Sequence, residues 1–184
     1  MNPIADLVES SGAIRRGDIA LSDGTLIDYY VDTYAFETEP AVLAEVAAAT
    51  AAALAEGGPV DVLAGPALGA VPLLTAVSLE TGHRTAFVRD AVRHRGTQAR
   101  IEGEIRKGDR VVVLDDVAMT GETVVETASV VENAGGAVER VLVVVDRDEG
   151  AAERATAAGY EFDYLARVGE EITVGGAGDA QQEQ

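Results

Sequence analysis

Apolar residues along this chain follow two rhythms. Short β-branched runs at Val60–Ala64, Thr85–Val88, Arg110–Leu114 and Val138–Val145 read as strands buried on both faces. Helical patterns at about 69–81, 121–134 and 149–158 separate most of them. Upstream, Glu39-Pro40 opens an alanine-rich helix that ends near Gly57-Gly58, with proline early in the helix and glycine past its end. Residues 2–10 suggest a short helix, and 18–21 and 27–32 suggest two short strands around a turn at Asp23-Gly24. A last short strand is expected near Phe162–Leu165. Strands alternating with helices predict an α/β fold: a doubly wound, mostly parallel sheet with right-handed crossovers. With no internal repeat or linker, residues 1–168 read as one domain, a small helix/strand hood at 1–35 and a core at 36–168. Residues 169–184, ending in GGAGDAQQEQ, read as a disordered acidic tail.

Polar clusters close several of these runs. Gly65-Pro66-Ala67 follows the first, Arg89 the second, Asp115-Asp116 the third and Asp146-Arg147 the fourth. Open α/β sheets bind ligands beyond the carboxyl ends of their strands, so four such clusters on one edge predict a crevice there.

The third cluster carries the most chemistry. In VVVLDDVAMTGET, Val111 to Thr123, an apolar strand leads into two acids and then into small and hydroxyl residues where a helix should begin. Two carboxylates at a strand end can accept hydrogen bonds from vicinal ribose hydroxyls, or sit near a divalent cation. The loop Ala118–Thr123 offers backbone N–H groups and hydroxyls at a helix N-terminus, which suits a monophosphate, and Gly121 allows close approach. A ribose 5-phosphate fits both halves. Three rivals fail. A Walker B strand needs a G-x-x-x-x-G-K-[ST] partner, and Lys107, the only lysine, is followed by Gly108-Asp109. Gly65-Pro66-Ala67-Leu68-Gly69 is not a dinucleotide fingerprint. His83 and His94, the only histidines, have no zinc-ligand spacing.

Composition sharpens this picture. The 184 residues carry 32 acids against 14 bases, a formal net charge of −18. Such a field argues against nucleic acid and acidic membranes as partners. An acidic chain with one lysine resembles proteins from salt-accumulating organisms. No apolar run approaches the roughly 20 residues of a membrane span. MNPIADLVES has no basic segment of the kind that starts a signal peptide. Cysteine is absent, so neither disulfides nor thiolate chemistry is expected, and a cytoplasmic location is. Against this background Arg84, Arg89, Arg93, Arg95 and Arg100 form a basic cluster with Asp90 as its only acid, which calls for an anionic partner such as a diphosphate.

VVVLDDVAMTGET resembles the phosphoribosyl diphosphate (PRPP) signature of type I phosphoribosyltransferases. SDGTLIDYYVD, DVLAGPALGAVPL, VRDAVRHRGTQARIEG and VVVDRDEGA resemble, in turn, four segments of orotate phosphoribosyltransferases. These are the N-terminal Tyr-Tyr segment, the diphosphate loop, the mobile catalytic loop and the Asp-Arg strand. The resemblance spans roughly residues 12–165 and fits a haloarchaeal member of that family. It implies the type I phosphoribosyltransferase fold and the conversion of orotate and PRPP to orotidine 5'-phosphate and diphosphate. It implies that Asp115, Asp116, Val117, Ala118, Met119, Thr120, Gly121, Glu122 and Thr123 hold the ribose phosphate. Leu68, Gly69, Arg89, Arg93 and Arg95 face the diphosphate, and Arg147, Met119 and Tyr30 face orotate. Mg²⁺ arrives with PRPP, with Asp115 and Asp116 as candidate contacts, and a homodimer shares the mobile loop between subunits. The chain departs from the family where loop lysines become Asp90 and Arg93, a loop histidine becomes Arg95, a Tyr-Lys becomes Leu68-Gly69, and a base-facing threonine becomes Met119. A PRPP-binding regulator, a degenerate paralogue and a transferase for another base therefore stay open at this level.

Overall fold

The computed structural model describes residues 2–20, 24–89 and 100–174. In chain order the described elements are α1 Pro3–Ser10, β1 Ile14–Ala20, β2 Leu26–Val31, α2 Tyr34–Glu37, α3 Pro40–Glu56, β3 Val62–Ala67 and α4 Val71–Thr81. β4 Arg84–Arg89, β5 Ile101–Gly103, β6 Arg110–Ala118, α5 Glu122–Asn133, β7 Ala137–Asp146, α6 Ala151–Ala157 and β8 Glu161–Arg167 follow. β1 and β2 form an antiparallel pair; the other six strands make one sheet in the order β5-β4-β3-β6-β7-β8. All neighbours in that sheet run parallel except β5, which adds an antiparallel edge to β4. The expected mostly parallel α/β sheet is therefore present.

The continuous apolar runs are explained by two covered faces. Along β6, Val112 and Leu114 join Leu63, Leu142 and Val144 under α3 and α4, which contribute Val46, Leu54, Leu73, Leu74 and Val77. Val111 and Val113 point the other way, toward Val124, Ala128 and Val131 of α5. Each fully buried valine or leucine contributes about 1.5–3 kcal/mol relative to exposure. The hood is tied to the core at α1, where Asn2 caps the helix by accepting from the Ile4 and Ala5 amides and donates to the Leu165 carbonyl at 2.7 Å. At the end of α3, Arg140 of β7 donates to the Ala53 carbonyl at 2.8 Å. A Cβ on Gly57 would lie 2.2 Å from the Arg140 guanidinium carbon, so glycine keeps that cap in place.

Several boundaries differ from the sequence expectation. β1 starts at Ile14 rather than at 18; Ile14 is buried against Val31 across the hairpin, which no local pattern announces. The Asp23 half of the expected turn lies outside the described residues. β5 and α2 were not anticipated. Residues 169–174, expected in the tail, are tied to the fold: Ile172 is fully buried, Val168 and Ile172 form a bridge, and Arg16 donates to the Thr173 carbonyl.

The connections place the site. From β3 the chain moves outward to β4, then crosses back to β6 on the other side of β3. The winding direction reverses between β3 and β6, and such switch points open a crevice at the carboxyl ends of the two strands. Gly65 makes the close contact possible, since a Cβ there would meet the Leu114 carbonyl oxygen at 2.3 Å.

Candidate active site

β6 does not stop at Leu114. Its ladder with β7 continues through Val117 and Ala118, paired with Val145 and Asp146, so the two acids sit inside the strand end. Although successive in the strand, the two carboxylates come close enough to interact, and Asp116 is among the groups that raise Asp115. Asp115 lines a cleft of about 320 Å³ together with Val117, Ala118, Met119 and the start of α5. Asp116 faces the loop after β3, with its carboxylate 3.5–3.9 Å from the Cβ position of Gly69. Both acids are buried, and each accepts from the next backbone amide, Asp115 from Asp116 and Asp116 from Val117, at 3.0 Å. Leu68 beside them is exposed, and its peptide bond to Ala67 is cis.

Behind the pair lies Glu37, the last residue of α2. It is 4% exposed, and neither of its carboxylate oxygens has a hydrogen-bond partner. Burial and then the Asp116 charge push it up to about 8. Asp115 is pushed well above the usual carboxylate range, first by burial and then by Asp116, with Glu37 adding to it. The site thus holds three acids at a strand end without an arginine among their described partners, a setting suited to neutral hydroxyl donors.

The loop beyond β6 supplies the anion half. Gly121 stands at φ +76 before α5, and a Cβ there would lie 2.8 Å from Ala151 Cα. The loop is pinned from outside, because Arg154 donates to the Thr120 carbonyl at 2.6 Å. The first-turn amides of α5 then face the cleft lined by Thr120 to Val124, where an anion is favoured.

β7 adds the third part. The Arg147 amide donates to the Ala118 carbonyl at 2.9 Å, which fixes Arg147 beside the loop. Its guanidinium lies over the Tyr29 ring at 4.7 Å, donates to the Tyr29 hydroxyl at 3.3 Å and pairs with Glu149 at 2.7 Å. Arg147 and Glu149, with Leu26, Ile27, Asp28 and Tyr29, line a second hollow of about 300 Å³. Asp146 is almost fully buried and is held by Arg167 at 2.9 Å and by the Asp148 amide at 3.0 Å. Asp148 stands at φ +58, a left-handed conformation that aspartate tolerates better than most residues.

A phosphoribosyl transferase domain model matches residues 32–160. The orotate phosphoribosyltransferase of Thermococcus gammatolerans is 41% identical over 91% of this chain and 89% of its own. That of Natronomonas pharaonis is 40% identical over 88% and 91%. The chain belongs to the orotate phosphoribosyltransferase family. Among solved structures, the orotate phosphoribosyltransferase of Mycobacterium tuberculosis in complex with Fe(III) dicitrate superposes with a TM-score of 0.79 at 31% identity, covering 90% of this chain and 96% of that one. The same protein in complex with PRPP matches with a TM-score of 0.74 at 29% identity, over 89% and 95%.

Within this orotate phosphoribosyltransferase fold, the expected site residues do not all converge. Asp115 and Val117 to Thr123 gather around one cleft, and Asp116 faces the loop after β3. Gly69 lies beside Asp116, while Leu68 is exposed. Met119 sits in the loop, 46% exposed. Arg89 closes β4 and pairs at 3.5 Å with Glu102. Arg93 and Arg95, with Asp90 and His94, lie outside the described residues. The basic cluster is less unified than its sequence suggests, because Arg84 opens β4 at the opposite edge and pairs with Asp109 at 2.9 Å. Arg100 pairs with Glu126 at 2.7 Å. Tyr29, not Tyr30, meets Arg147; Tyr30 points to the other face of β2 and is exposed. The strand's period of two could have selected it, since Ile27, Tyr29 and Val31 form its inner face. Glu37 and the Glu149 contact needed the tertiary structure, although Glu149 is close enough in sequence to be a candidate partner for Arg147.

Mg²⁺ is tested by the donor set. Among the described residues no group of three or more His, Cys, Asp or Glu could hold a metal. Two hard carboxylates at one strand end fit an ion that keeps most of its water and takes other ligands from substrate phosphates. No described helix is long and apolar enough to cross a membrane.

Proposed function

We propose that this protein transfers the phosphoribosyl group of PRPP to orotate, giving orotidine 5'-phosphate and diphosphate. The observation that carries this is one backbone bond, Arg147 N–H to Ala118 carbonyl, which sets a cation-bearing hollow beside a ribose-phosphate cleft. Asp115 and Asp116 accept from the ribose hydroxyls, and Thr120 to Thr123 with the α5 amides hold the 5-phosphate. Arg147, backed by Tyr29, holds the orotate carboxylate and aims the ring nitrogen at C1 of the ribose. The C1–oxygen bond to diphosphate breaks as the nitrogen–C1 bond forms, and the nitrogen proton is released. No protein nucleophile is required. Where Mg²⁺ is bound with PRPP, Asp115 and Asp116 would be its candidate protein contacts and it would neutralise charge on the diphosphate. Leu68, Gly69 and Arg89 serve the same group, as the resemblance implies for Arg93 and Arg95, and the protein works as a homodimer. A cytoplasmic site and high internal salt suit a chain with 32 acids and 14 bases.

The test is spectrophotometric: orotate absorbance is followed with PRPP and Mg²⁺ at molar salt. PRPP-dependent loss of orotate with release of diphosphate is expected. PRPP binding without turnover would instead support a regulator or a degenerate paralogue, and turnover of another base a changed specificity.

A further inference from the structure

The Arg147 guanidinium is already engaged. Its side chain is 9% exposed, against 35% for Glu149. The Nε–NH2 side donates to the Tyr29 hydroxyl and meets a Glu149 carboxylate oxygen at 2.7 Å. Asp148, at φ +58 with its amide held by Asp146, turns the chain so that residues two apart meet around one guanidinium. Asp28 also lines the hollow, but only Glu149 is paired with the guanidinium. A ligand carboxylate is best held by the two-pronged side of a guanidinium, part of which Glu149 now uses. An anionic base would bring a second carboxylate to this guanidinium. The least costly group to move is Glu149, whose partial exposure lets water solvate it after release.

We infer that Glu149 is a stand-in carboxylate that occupies Arg147 until a carboxylate-bearing base displaces it, and that it thereby tempers the affinity for that base. The inference rests on the assignment of Arg147 to the base carboxylate. In the resting protein the pair keeps a buried cation partnered, since an unpaired buried charge is expensive. A pyrimidine without a carboxylate cannot complete the exchange and leaves Arg147 capped. An orotate molecule replaces one carboxylate by another, and its affinity is reduced by the cost of evicting the first.

Glu149→Gln weakens the stand-in without removing its bulk. At fixed ionic strength the KM for orotate should fall by about two- to fivefold, the range of a partly exposed ion pair. The KM for PRPP should not change, nor should inhibition by uracil. Glu149→Ser should act in the same direction, which guards against a local effect of glutamine. In an Arg147→Ala background Glu149→Gln should no longer alter the orotate KM. An orotate KM that rises or stays fixed in both Glu149 variants would overturn the inference and leave Glu149 as a support for Arg147. If Arg147→Ala alone does not raise the orotate KM more than the PRPP KM, the pocket assignment fails first, and the stand-in role with it.

Discussion

The two ends of the central sheet handle the same residue types in opposite ways. Where the strands begin, acids come with arginines: Asp61 takes three donors from Arg110 at 2.8–2.9 Å, Arg84 pairs with Asp109, and Arg140 with Asp163. Asp61 is held well below the usual carboxylate range by the Arg110 side chain and amide, and Asp109 is lowered first by the Arg106 amide. Where the strands end, Asp115, Asp116 and Glu37 are buried together with no described arginine at contact distance, and burial raises Asp115 and Glu37. One edge is arranged to be satisfied on its own. At the other, Asp146 still pairs with Arg167, but the three acids around the end of β6 have no described cation, which suits a ribose with hydroxyl donors. Stability is therefore concentrated at one edge and recognition at the other, and the contrast can be broken from either side.

The largest single-residue effect is expected beside the cleft. Arg147→Ala should raise the KM for orotate by about tenfold to 150-fold, the worth of a charge-assisted contact, while the KM for PRPP changes little. Steady-state kinetics with each substrate varied in turn would show it. Equal effects on both substrates would move Arg147 to a structural role.

Glu37 probes the unsatisfied edge through stability. A carboxyl whose folded value lies near 8 and whose unfolded value is 4.5 holds a proton in the native state that the unfolded chain has lost. Folding then takes up protons, so stability falls as pH rises from about 4.5 to 8 and stays low above that. Asp116 and Asp115 face this group and enlarge the effect. Glu37→Gln should flatten the fall, gaining of order a few kcal/mol relative to wild type at pH 9 compared with pH 5. Denaturant titrations at both pH values measure it. Parallel stability curves for the two proteins would contradict a buried, unpaired Glu37.

What the sequence disclosed follows the same divide. The β-branched runs, the proline and glycine helix ends and the acid pair before a glycine loop are local patterns, and the sheet and cleft were legible from them. The extension of β6 past Asp115 was not, because it depends on pairing with β7, more than 20 positions away in the chain. The three-residue β5, Ile101–Gly103, carries no periodic signal and exists only against β4. Glu37 reads as an ordinary polar residue before a helix; its burial comes from packing under the strand ends. Tyr29 is legible from strand periodicity, since it shares the inner face of β2 with Ile27 and Val31.

Met119 sharpens the contrast within the cleft. The resemblance places a threonine there, and Met119, half-exposed in the loop, has no hydroxyl to offer. Met119→Thr should improve kcat/KM for orotate, by up to about tenfold if one hydrogen bond of roughly 1 kcal/mol is regained. A loss of activity in that variant would mark methionine as part of an adapted pocket.

The smallest effect belongs to the satisfied edge. Asp61→Asn weakens a half-buried partner of Arg110 far from the cleft, so a modest drop in Tm and unchanged kinetics are expected, the usual outcome for an ion pair at the surface. A large fall in activity there would erase the distinction between the edges.

The central claim is that the two buried acids at the end of β6 are kept unpaired for PRPP. Calorimetric titration of PRPP into the Asp115→Asn, Asp116→Asn double variant tests it directly, with circular dichroism to establish that the sheet is intact. The account predicts a folded protein, at least as stable as wild type above neutral pH, with no measurable PRPP binding. A folded double variant that binds PRPP with wild-type affinity would contradict it.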